Sequence, residues 1–81
     1  MFINRNGGRN NIVGDAIARR RTAQNISQRE LADKLTDYGI LLDKNAVQRI
    51  ESGQRFVTDI ELVAISSYFN CTTDELIKEE H

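Results

Sequence analysis

The sequence predicts an all-α fold, a compact bundle of five short helices. Three capping boxes point to it, Ser27-x-x-Glu30, Thr58-x-x-Glu61 and Thr72-x-x-Glu75, each leading into apolar residues at helical spacing. No stretch alternates apolar and polar residues as a half-buried strand does, and the chain contains no proline. With 81 residues it is sized for one domain. A domain of this size buries only about 60–65% of its unfolded surface, which leaves room for one core and none for a deep enclosed active site.

Residues 1–10, rich in Asn, Gly and Arg, read as a flexible N-terminal arm. Residues 11–78 read as the folded domain and residues 79–81 as a C-terminal tail. The first helix is expected over residues 12–24, with Val13, Ala16 and Ile17 on its apolar face and Asn25 as a left-handed terminator. The second starts from the Ser27 cap, places Leu31, Ala32, Leu35 and Tyr38 on one face, and stops at Gly39. The third takes Asp43 as N-cap and runs to Ser52, before Gly53. The fourth, residues 59–69, buries Leu62, Ile65 and Phe69 and ends at Asn70. The fifth follows the Thr72 cap and carries Leu76 and Ile77.

The net charge of −1 is unevenly spread. Residues 1–55 hold ten Lys/Arg against six Asp/Glu, whereas residues 56–81 hold Lys78 alone against six carboxylates. Such asymmetry fits one face for a polyanion and an acidic face turned away.

The third helix carries the most information. At roughly 100° per residue, Lys44, Asn45, Gln48 and Arg49 share one arc and Ala46, Val47 and Ile50 the opposite one. The apolar arc anchors the helix. The polar arc presents two cations and two carboxamides, the groups that read guanine and adenine edges in a major groove. A solvated surface face has the same composition. What separates the two is the short capped helix that precedes it and the positive charge in the same half of the chain. Arg21 lies one turn beyond Ile17, on a face that must be buried. Either its guanidinium pairs with Glu51, at the edge of the apolar arc, or its head reaches water along an apolar stem.

The stretch from Val13 to Ile77 resembles the Xre/Cro-type helix-turn-helix of phage repressors and small bacterial regulators. The resemblance rests on Ile17, Arg21, Asn25-Ile26-Ser27-Gln28, Glu30-Leu31-Ala32, Leu35, Val47, Arg49-Ile50-Glu51-Ser52-Gly53 and Asp74-Glu75-Leu76. It implies a lambda-repressor-like bundle and a sequence-specific DNA-binding transcriptional regulator, a repressor, whose partner is double-stranded DNA. Lys44, Asn45, Gln48 and Arg49 are then the base-contacting residues. Ser27 and Gln28, at the start of the second helix, and Gln54 and Arg55, in the loop after the third, are the phosphate-contacting residues. Arg21 and Glu51 become a buried ion pair. Between Leu35 and Asp43 the chain is longer than the shortest turns of this family, so the second helix is expected to gain a turn. The same fold also serves protein-interaction modules such as antitoxins and partner-binding regulators, which is the alternative reading.

An enzyme is not expected. His81 is the only histidine and the last residue, so no His-based triad or metal cluster can form, and neither cofactor nor metal is implied. Cys71 reads as a core residue rather than a redox centre, and a single cysteine fits a reducing cytoplasm. No apolar run approaches the ~20 residues of a membrane span, and no secretory pattern opens the sequence. Gly7-Gly8 lacks the strand context of a phosphate loop. Arg5 and Arg9 could follow a minor groove, but a solvated tail is the simpler reading. Because one short helix reads few base pairs, a homodimer is expected on a two-fold operator, paired through the C-terminal helices where Tyr68 and Ile77 are candidates for exposure.

Overall fold

The computed structural model describes residues 8–78. Its regular elements are all helical: α1 (Gly14–Ala23), α2 (Gln28–Leu35), α3 (Lys44–Glu51), α4 (Asp59–Tyr68) and α5 (Thr73–Lys78), with a 3₁₀ turn, Thr36–Tyr38, continuing α2. Arg5 and the tail 79–81 lie outside the described residues.

Four of the five helix starts, those of α2 to α5, follow the sequence signals; α1 begins at Gly14 rather than at Ile12. Ser27 Oγ accepts from the Glu30 amide while Glu30 Oε1 accepts from the Ser27 amide, and Thr58/Glu61 and Thr72/Glu75 repeat the arrangement. Asp43 Oδ1 accepts from the Ala46 amide at 2.7 Å and starts α3. Helix ends are equally regular. Asn25, Gly39, Gly53 and Asn70 all adopt positive φ. Each sits in a paired turn where its own amide and the next one bond back to the last helical carbonyls, as in Gly53 N to Ile50 O (3.1 Å) and Gln54 N to Arg49 O (2.8 Å).

The core is formed by Ile17, Leu31, Leu35, Val47, Ile50, Ile65 and Leu76, all essentially inaccessible. Phe69 is buried as expected, Leu62 and Ile77 pack against the core while partly exposed, and Cys71 does the same. α3 lies against α1 and α2, so its orientation is fixed from two sides.

Two expectations need correction. Tyr38 does not join the core. The added turn is 3₁₀, with three residues per turn instead of 3.6, which rotates Tyr38 out of register with Leu31 and Leu35. It is 46% exposed and meets Tyr68 edge to face. The end of the arm is also not a solvated tail: Arg9 and Asn10 are hydrogen-bonded to the end of α3 and the loop that follows it.

Candidate nucleic-acid interface

Val47 and Ile50 are buried and Ala46 half-buried, so α3 is seated by the arc opposite its polar one. Lys44, Asn45, Gln48 and Arg49 are all exposed on the outward arc. None of these four side chains bonds to another described residue. Two cations and two carboxamides therefore stand ready for an external partner, each with its full complement of donors.

Beneath this face lies the polar anchor. Arg21 Nε and Nη2 donate to Glu51 Oε2 and Oε1 at 2.7 and 3.1 Å, and Arg21 Nη1 donates to Ile26 O at 2.8 Å. The pair is largely buried, with side-chain exposures of 15% and 8%. Such a bidentate charge-assisted contact fixes geometry as well as attracting. It joins α1 to α3, and Gln28 adds the start of α2 by donating Nε2 to Glu51 Oε1 at 3.0 Å. Of the residues the resemblance assigns to phosphates, Ser27 and Gln54 are exposed, and Gln28 is half-buried with one amide hydrogen already engaged.

Arg55, the fourth of these residues, is engaged within the chain. Its guanidinium turns to Glu61, Nη1 to Oε1 at 2.9 Å and Nη2 to Oε2 at 3.0 Å, with a further bond from Nη1 to Phe56 O. This contact holds the Glu61 carboxyl below the usual carboxylate range and raises the affinity of Arg55 for its proton. Glu61 also closes the capping box of α4, so the pair ties the loop after α3 to the next helix. Arg29, not singled out from the sequence, is exposed beside Gln28 and lines an open depression with Lys44 and Asn45. An arginine two residues beyond the Ser27 cap was the available signal.

A seated helix with an outward, unpartnered polar face, braced by a preceding capped helix, has the form of a DNA-binding regulator of the helix-turn-helix class. The chain belongs to the helix-turn-helix family, whose model matches residues 17–76. Membership makes it a non-enzymatic, DNA-binding transcriptional regulator. Among solved structures it is similar to the P22 c2 repressor protein, determined in complex with synthetic operator 9T. That similarity has a TM-score of 0.70 at 24% identity, over 83% of this chain and 94% of the other. No curated protein sequence matches the chain. Among the described residues no helix is long and apolar enough to cross a membrane, and no group of His, Cys, Asp or Glu is placed to hold a metal.

Proposed function

We propose that this protein is a cytoplasmic repressor that binds a specific operator as a homodimer, with α3 in the major groove. Lys44, Asn45, Gln48 and Arg49 read base edges. Ser27, Gln28 and Gln54 approach the flanking phosphates, with the amides at the start of α2 adding to the positive end of that helix. Arg55 orders the loop that presents Gln54. The observation that carries the reading is the outward arc of α3: four polar side chains, exposed and unengaged, on a helix braced by a buried ion pair. The similar P22 c2 repressor, seen with an operator duplex, supports the same mode of docking.

Selection of bound duplexes from random DNA tests this reading. The expected result is an enriched motif with an inverted repeat, bound with an affinity that falls steeply with salt because phosphate contacts release counterions. Arg49→Ala is expected to lose discrimination at one guanine-containing position, worth about 1–3 kcal/mol. No enrichment, with salt-independent or undetectable binding, would favour the alternative. In that case the exposed Ile60 and Val63 on α4 would mark a protein-interaction module.

A further inference from the structure

We propose that residues 9–11 form a strap that sets the pose of the recognition helix and so determines sequence discrimination without contacting a base; this rests on the DNA-binding reading above. The argument starts from the carbonyls that every helix leaves without partners at its C-terminus. In α3 local turns satisfy Gln48 O, Arg49 O and Ile50 O. Glu51 O is satisfied from a distance, by Arg9 Nη2 at 3.1 Å. Ile50 O takes a second bond from Asn11 Nδ2 at 2.9 Å.

The strap continues along the loop. The Asn10 amide donates to Gly53 O at 2.7 Å, Asn10 Nδ2 to Gln54 O at 3.0 Å and Asn11 Nδ2 to Arg55 O at 2.8 Å. Asn11 has a further role, since its Oδ1 accepts from the Gly14 amide at 2.8 Å where α1 begins. One side chain thus starts α1 and secures the end of α3.

The slot for Arg9 is built from two glycines. A Cβ at Gly53 would stand 2.7 Å from Arg9 Cζ and Nε, and one at Gly14 would stand 2.7 Å from Arg9 Nη2 and 2.3 Å from Ile50 O. The guanidinium therefore lies over the negative end of the α3 dipole, with Asp15 Oδ1 at 3.5 Å as counter-charge. The C-terminal residue of α3 is thereby held twice, through the Glu51 carbonyl by Arg9 and through the Glu51 carboxylate by Arg21. Bidentate readout of a base edge tolerates little displacement of the helix, so rigidity at this end appears as discrimination between bases.

The test uses the full chain and a selected operator duplex, with a second duplex differing by one base pair at a position read by α3. The readout is the ratio of the two affinities, measured where circular dichroism shows each variant fully folded. Nonspecific charge effects cancel in this ratio, and a purely structural role would not move it. Arg9→Ala and Asn11→Ala are expected to lower it by about tenfold, within the range a good base contact is worth, and Arg9→Lys, which keeps the charge and a donor, to recover most of the loss. Should the alanine variants not fold, Arg9→Gln carries the same expectation. Folded variants that keep the wild-type ratio overturn the strap alone. A wild-type chain with no sequence preference overturns the DNA reading and the strap with it.

Discussion

Glu51 collects three donors, two from Arg21 and one from Gln28, in a position with 8% of its side chain exposed. Removing it leaves a guanidinium buried without its counter-charge. Glu51→Ala is therefore expected to lose about 3–5 kcal/mol of stability, a large share for a small domain. Denaturant unfolding measures this, and a wild-type midpoint would show the pair to be unimportant. The residue pattern left Arg21 between pairing with Glu51 and reaching water, and the resemblance to the Xre/Cro-type family favoured the pair. The share of Gln28 was not legible, because a carboxamide has two N–H groups and nothing in the sequence says where each points. The engagement of Arg55 was not legible for a related reason: Glu61 was read only as a capping residue, yet its two oxygens also take a guanidinium. The contact has a measurable consequence. An arginine that neutralises a phosphate adds about 0.9 to the slope of log affinity against log salt. With its charge already paired, Arg55 should add far less, so Arg55→Ala is expected to weaken binding to all sequences alike while leaving that slope nearly unchanged. A drop near 0.9 would show instead that Arg55 neutralises a phosphate in the complex.

The helices are bounded by local chemistry to an unusual degree, which is why the element order was readable before the packing. Ser27, Thr58 and Thr72 with their glutamates mark three starts, and Asn25, Gly39, Gly53 and Asn70 mark ends where the backbone turns left-handed. Less legible was the start of α1, because its amide is capped by Asn11 from outside the helix and the partners of Asn11 lie some forty residues away. The register of Tyr38 escaped for the opposite reason, a purely local switch to 3₁₀ winding. The capping boxes also predict a pH dependence. Backbone and hydroxyl contacts from Ser27 and Thr72 lower the Glu30 and Glu75 carboxyls, and Arg55 lowers that of Glu61. A carboxyl lowered in the folded state binds fewer protons there than in the unfolded chain. Its contribution is present above the unfolded value, about 4.3 for glutamate, and is lost as pH falls through the folded value. Stability is thus expected to be flat from pH 7 to 5 and to drop below about 4.3. Thermal melts across pH 3–7 check this, and Glu61→Gln should make the acid drop shallower. A melting temperature unchanged down to pH 3 would mean the boxes contribute little.

At the scale of the whole molecule, Lys44 and Arg49 stand exposed on α3 with Arg29 nearby, while α4 and α5 carry four of the six carboxylates of residues 56–81. Tyr68 and Ile77 are only partly buried, as expected: Tyr68 is packed against Phe69 and Tyr38, with its hydroxyl donating to Gln24, and Ile77 lies against the core. More open are Ile60, 71% exposed, and Val63, 56%, one turn apart on α4 and bordering a groove with Tyr38. An apolar strip on an otherwise acidic face is a surface that a second copy could cover without masking α3. One recognition helix reads too few base pairs to single out a site in a genome, and two-fold pairing doubles the sequence read, with half-sites about one helical turn apart. Val63→Glu is therefore expected to leave the fold intact, since the side chain is already half in water, while converting a two-chain complex on the selected duplex into one-chain binding at a half-site. Native mass spectrometry of the protein with that duplex reads the stoichiometry. One wild-type chain per duplex, on a site without an inverted repeat, would refute the dimer; an undiminished two-chain complex for Val63→Glu would keep the dimer and move its interface off α4.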